Sequence, residues 1–172
     1  MSGDDAGRAG QPESGPGPAR HRDRVAMTAT DQEALLAESR KLQLATINRD
    51  GTPHLVTMFY VMLDGQIAFW TYRSAQKARN LARDPRVTCL VEAGEEYFEL
   101  RGVQVAGLAR CTDDPARVLD IGRRVATVTA GMDAGALEEY TEKTARKRLG
   151  YVVEPQRVIS WDHRKLAQPP GR

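Results

Sequence analysis

Residues 42–72 read LQLATINRDGTPHLVTMFYVMLDGQIAFWTY, and the punctuation of this stretch decides the fold. The run LQLATI (42–47) has strand composition, and NRDG (48–51) turns the chain on Asp-Gly. PHLVTMFYV (53–61) then returns, with proline confined to its first position, where a strand tolerates it. Asp64-Gly65 makes a second tight turn into QIAFWTY (66–72). Three apolar runs joined by two short turns predict an antiparallel meander.

Outward from the meander the period changes. Upstream, Thr30 and Glu33 are spaced as a capping box, and Leu35, Leu36 and Ala37 give the following turns an apolar side. Downstream, Ser74 is a good N-cap for a helix over residues 75–83, which Asp84-Pro85 stops. RVTCLVEA (86–93) and YFELRGVQVAGLARC (97–111) return to strand composition, with Gly102 as the expected bulge or bend. Asp114-Pro115 opens a helix that buries Val118, Leu119, Ile121 and Val125. Residues 134–149 predict another helix, acidic first and then basic, as the helix dipole favours. YVVEPQRVISW (151–161) is the last strand. Six mostly antiparallel strands without sandwich-like regularity predict a mainly β protein, a small closed barrel with peripheral helices that leaves no free sheet edge.

Composition bounds the class. The chain has 172 residues, 41% of them hydrophobic, enough for a single core. Residues 1–26 are dominated by Gly, Pro and mixed charge and predict a disordered tail, with Met27 as a candidate start. Residues 27–166 form the one domain, and 167–172 a flexible C-terminus. Lys and Arg number 25 against 23 Asp and Glu, without the basic surplus of a nucleic-acid binder. No apolar run approaches the roughly 18–20 residues of a membrane span. The N-terminal arginines precede no apolar stretch of a secretory signal. A soluble, cytoplasmic protein without nucleic-acid or membrane partners is expected. Cys89 and Cys111 lack metal-ligand spacing, so no metal site is expected.

Catalytic patterns are missing. His21, His54 and His163 stand apart, no serine sits in a nucleophile-elbow setting, and GxGxxG and GxxxxGK[ST] are absent. The densest signal is WTYRSAQKARN (70–80), in which a strand ends, Arg73 and Ser74 occupy the turn, and Lys77 sits in the first turn of a helix. A cation there opposes the helix dipole. Two readings account for it: a phosphate held by Arg73, Ser74, Lys77 and backbone N–H groups, or solvated cations paired with neighbouring carboxylates.

The stretches LATINRDGTPHLVT (44–57), YRSAQKARNLARDPRV (72–87), the strand with Gly102, and VISWDHRKL (158–166) together resemble the flavin/deazaflavin oxidoreductase superfamily, the pyridoxamine 5′-phosphate oxidase-like FMN-binding split barrels. The likeness spans about residues 30–166. Lys77, Asn80, Leu81 and Asp84-Pro85-Arg86 resemble most the branch that uses the deazaflavin coenzyme F420. The resemblance implies a six-stranded antiparallel split β-barrel homodimer with two cofactor sites at the subunit interface. It implies that Arg73, Ser74 and Lys77 hold the cofactor phosphate, within a binding set that includes Tyr72, Gln76 and Asn80. The backbone of Val56, Thr57 and Met58 would run beside the ring system, and Trp161 would approach from the partner subunit. Pyridoxamine phosphate oxidases carry an Arg in the second strand, where residues 55–59 are the uncharged LVTMF, and many relatives place Pro where Thr57 stands. The implied activity is hydride transfer from F420 to a conjugated, electron-poor small molecule. FMN in the same clamp, or cofactor binding without turnover, are the alternatives.

Overall fold

The run 53–61, expected as one strand, is interrupted at Tyr60, which divides it between the two edge strands of the sheet. The computed structural model describes residues 21–129 and 134–167. In chain order these form α1 (His21–Val25), α2 (Ala29–Glu38), β1 (Lys41–Ile47), β2 (Pro53–Phe59), β3 (Val61–Leu63), β4 (Gln66–Tyr72), α3 (Gln76–Arg83), β5 (Arg86–Ala93), β6 (Arg101–Thr112), α4 (Pro115–Val128), α5 (Ala134–Ala145), β7 (Arg148–Asp162) and a closing 3-10 turn, His163–Leu166. The strands make one sheet in the order β2-β1-β5-β6-β7-β4-β3, and every pairing is antiparallel. Its edges, β2 and β3, are separated in the chain by Tyr60 alone. The sheet curls, but β2 and β3 do not pair with each other, so in place of the expected closed barrel without free edges it is a half-open one, consistent with a split barrel.

Tyr60 pins that corner. Its ring is buried and its hydroxyl donates to the Leu36 carbonyl at 2.6 Å. Two parts of the expected meander hold. β1 pairs β2 from Lys41 opposite Phe59 to Ile47 opposite Pro53, and β3 pairs β4. The second and third expected strands do not pair over their main length, because β2 and β4 belong to opposite ends of the sheet. Dividing one strand at the corner also raises the expected six strands to seven.

Alternation fills the barrel. In β1 and β5 every second residue is buried, placing Leu42, Leu44, Val87, Cys89 and Val91 inside with Val103 and Val153. Phe69 and Tyr151 stack across neighbouring strands with ring centroids 5.2 Å apart. A smaller core lies outside the barrel, where Val118, Ile121 and Val125 of α4 pack on Trp70.

Several local expectations shift. The capping box is Thr28 with Asp31, two residues early: the Thr28 hydroxyl accepts from the Asp31 N–H at 3.1 Å and the Asp31 carboxylate accepts from the Thr28 N–H at 3.3 Å. Asp takes the place of Glu because buried Met27 fixes the chain entering the helix. Ser74 does not cap α3; Ala75 occupies that position, without a side-chain bond. Residues 97–100 form a turn rather than strand, with Tyr97 and Phe98 edge to face. The bulge falls between Ala106 and Gly107, not at Gly102, because a Cβ at Gly107 would collide with the Glu154 carbonyl. Gly102 pairs regularly with Trp161, whose indole covers it.

The expected tail boundary at residue 26 also moves. Residues 21–25 form α1, Val25 is 5% exposed, and Lys165 Nζ donates to the Ala26 carbonyl at 2.5 Å. Residues 1–20 and 168–172 lie outside the described residues. Burying one valine is worth roughly 1.5 kcal/mol, and each kcal/mol moves the midpoint by about 2–4 °C at this size. A chain starting at Met27 is expected to melt roughly 3–6 °C below the full chain. An unchanged midpoint in calorimetry would show that α1 adds nothing. Among the described residues, no helix is long and apolar enough to cross a membrane.

Candidate functional site

The two aromatic residues that end β4, Trp70 and Tyr72, project from the strand on the side away from the barrel core. Across the β4–β7 ladder Tyr72 faces Arg148, and Trp70 faces Gly150. Directly opposite and diagonal positions bring side chains on one face together. The Arg148 guanidinium therefore lies 4.1 Å from the Tyr72 ring centroid and 4.2 Å from that of Trp70. Among the described residues its Nε is buried without a hydrogen-bond partner. A buried donor left unmatched costs about 1–3 kcal/mol.

Arg148 forms one wall of a cleft of about 390 Å³. Lys77, in the first turn of α3, forms another, and β2 makes a shelf at Thr57, Met58 and Phe59, with the Thr57 and Phe59 side chains on its exposed face. Tyr140 of α5 lines the same cleft. Burial, and then the nearby Arg148 charge, hold the Lys77 ammonium below its ordinary pKa. The hydrogen bond from Arg148, and then its charge, lower the Tyr72 phenol. Among the described residues, neither Lys77 nor Arg148 has a carboxylate within ion-pair distance. Two unmatched cations and an orphaned N–H beside a shelf fit an anion joined to a planar group.

The sequence-derived residues divide. Thr57, Met58, Tyr72 and Lys77 meet in this cleft. Val56 and Met58 share the opposite face of β2 and pack toward the barrel core, Met58 bordering the cleft as well. Arg73 does not join Lys77; it lines a neighbouring cleft with Arg146, and Arg148 borders both. Ser74 is exposed in the turn before α3 and lines neither. Gln76 donates to the Asn80 side-chain carbonyl at 2.9 Å. Asn80 is fully buried, and its amide donates to Thr46 Oγ1 at 3.1 Å and Asn48 Oδ1 at 3.0 Å. Its bonds are used to fasten α3 to β1. Trp161 lies over Gly102 and does not line this cleft.

Asn80→Ala is expected to destabilise the fold by about 2 kcal/mol, since it strands the buried Thr46 hydroxyl on β1 and removes the bond to half-buried Asn48. Urea denaturation measures this; a change below about 0.5 kcal/mol would show that Thr46 and Asn48 find other partners.

Arg148 was absent from the sequence-derived set. The signal that could have found it is the pair Arg148 and Gly150, two residues apart and next to a strand of aromatic residues. Among the described residues, no group of three or more His, Cys, Asp or Glu could hold a metal.

The fold is a split barrel with a cationic cleft beside an edge strand. The family model described as Pyridoxamine 5′-phosphate oxidase matches residues 29–162, and the chain belongs to that family. It is 36% identical to the conserved hypothetical protein Rv2991 from Mycobacterium tuberculosis, with a TM-score of 0.79 over 89% of this chain and 96% of that one. A protein described as an F420 reductase is 25% identical, with a TM-score of 0.57 over 73% of this chain and 94% of that one. HutZ, the haem storage protein from Vibrio cholerae, shares the fold at 16% identity, with a TM-score of 0.62 over 78% and 96% of the two chains. No curated protein matches the chain.

Proposed function

We propose that the protein is an oxidoreductase that binds coenzyme F420 in the Lys77–Arg148 cleft and passes hydride to a conjugated, electron-poor small molecule. The observation that carries this reading is the pairing of two unmatched cations with the orphaned Arg148 Nε. Likeness to an F420 reductase favours the deazaflavin over FMN. When bound, the deazaflavin supplies the hydride.

The chain's residues supply the rest. Lys77 and Arg148 hold the phosphate, replacing the expected clamp of Arg73, Ser74 and Lys77. The β2 segment at Thr57, Met58 and Phe59 would line the ring. Tyr72, with its lowered pKa, offers a hydroxyl donor for negative charge developing on an acceptor oxygen. Solvent can return the proton, so no buried acid–base pair is required. Titrating F420 and FMN separately into the purified protein, followed by absorbance, tests the reading. Binding of FMN with no binding of F420 would replace the coenzyme, and tight F420 binding without turnover over a panel of enones and quinones would make this a carrier.

The same reading requires a homodimer. Leu55 is 64% exposed and Phe59 39% exposed on the outer face of β2, beside the shelf of the cleft. Such apolar surface on an edge strand calls for cover. Light scattering at micromolar concentration is expected to give twice the 19.0 kDa chain mass. A 19.0 kDa particle would overturn the dimer.

A further inference from the structure

The second cleft, of about 510 Å³, lies between the β4–α3 turn and the α4–α5 hairpin. Arg73, Arg146 and Arg148 converge on it from three different segments: the turn after β4, the turn after α5, and the start of β7. Like charges lining one space repel one another unless something neutralises them. The carboxylates at hand do not. Asp113 and Glu142 line the same cleft, yet neither approaches any of the three arginines within ion-pair distance. Glu142 is turned instead to Arg123, at 3.5 Å. The rest of the lining is apolar, with Val118, Leu119 and Ala145 forming the floor. Arginine's rigid fork of donors suits carboxylate and phosphate oxygens. An apolar floor beneath it suits a hydrocarbon body.

We infer that this cleft is a second binding site, for a small amphiphilic anion whose carboxylate or phosphate head is gripped by Arg73 and Arg146, with Arg148 at its border, and whose apolar body lies on Val118, Leu119 and Ala145. The site is separate from the Lys77 cleft and does not depend on which coenzyme that cleft takes. Arg148 is the wall between them. Arg73, which the sequence placed with Lys77, belongs here.

The experiment is calorimetric titration of octanoate and, separately, octyl phosphate into the full chain, with 1-octanol and inorganic phosphate as partial probes. At least one of the two amphiphiles is expected to give a saturable isotherm, and their relative affinity identifies the head group. Octanol and inorganic phosphate should each bind at least about 10-fold more weakly. Arg146→Ala removes a charge-assisted contact at an exposed position and is expected to weaken the tighter amphiphile about 10-fold or more. Arg73→Ala should behave likewise, and Lys77→Ala should stay within about twofold of wild type. Melting curves confirm that each variant folds. The inference is overturned if neither amphiphile saturates in the millimolar range, if inorganic phosphate binds as tightly as the amphiphiles, if both arginine variants bind as wild type does, or if Lys77→Ala abolishes binding, which would return the ligand to the first cleft. Failure of F420 to bind would leave these outcomes unaffected.

Discussion

Lys77→Ala is expected to weaken F420 binding about 10- to 100-fold while leaving the fold of the apo protein unchanged or slightly more stable. A desolvated, charge-assisted contact to phosphate is worth roughly 1.5–3 kcal/mol, and about 1.4 kcal/mol is a factor of ten. The lack of a folding penalty follows from the site's electrostatics. Lys77 is partly buried, faces Arg148, and sits in the first turn of a helix with no acidic residue there. Each of these disfavours its charge in the empty protein. A folded pKa held below the unfolded value means that stability rises as pH climbs through the folded pKa, the reverse of a lysine with a partner. A bound anion restores the proton, so binding takes up protons in the alkaline range. Affinity should therefore fall with rising pH, beginning below the ordinary lysine value of 10.5. Arg148→Ala is expected to lower affinity comparably, and the double variant should lose less than the sum if both grip one phosphate. Equal affinity of wild type and Lys77→Ala for both F420 and FMN would remove the phosphate from this cleft.

The barrel was legible in the sequence because its signals are local. Asp-Gly turns, proline at a strand start and two-residue alternation each act within a few residues, and β1, β2, β4 and β5 follow them. The division at Tyr60 was not legible. PHLVTMFYV has continuous strand composition, and the corner is held by partners outside it, the Leu36 and Arg40 carbonyls that accept from the Tyr60 hydroxyl and N–H. Lys77 was legible because its charge opposes a local dipole. Arg148 was hidden by the same kind of argument. Residues 146–148 are RKR after a glutamate-rich helix, which a dipole argument assigns to the helix end. The helix stops at Ala145, and Arg148 begins the strand that faces Tyr72. Asn80 illustrates the opposite error. A polar residue three positions after Lys77 looks like a ligand contact in the sequence, whereas its full burial makes it a fastener between helix and sheet.

Gly122→Val is expected to lower the melting temperature by roughly 6–12 °C, the largest change in stability predicted for any residue here. Glycine in a helix interior costs about 1 kcal/mol relative to alanine, so its presence in the middle of α4 needs a reason. A Cβ at this position would stand 2.5 Å from Cζ3 and 2.8 Å from Cη2 of Trp70. The indole cannot retreat, because the Arg148 guanidinium lies 4.2 Å from its centroid and the ring is 6% exposed. Overpacking of this kind costs typically about 1–3 kcal/mol, and about 3 kcal/mol for the larger valine corresponds to the stated shift at about 2–4 °C per kcal/mol. Alanine should be milder, since its gain in helix propensity offsets part of the clash. The displacement also reaches the site, because Trp70 carries Arg148 on its face. Gly122→Ala is therefore expected to weaken anion binding in both clefts, although it touches neither ligand. Trp70→Leu removes the obstructing ring, so the Gly122→Ala/Trp70→Leu pair should recover at least about 1 kcal/mol against the sum of the single changes. Strict additivity in that cycle, measured by urea denaturation, would show that contact with Trp70 is not what requires glycine at this position.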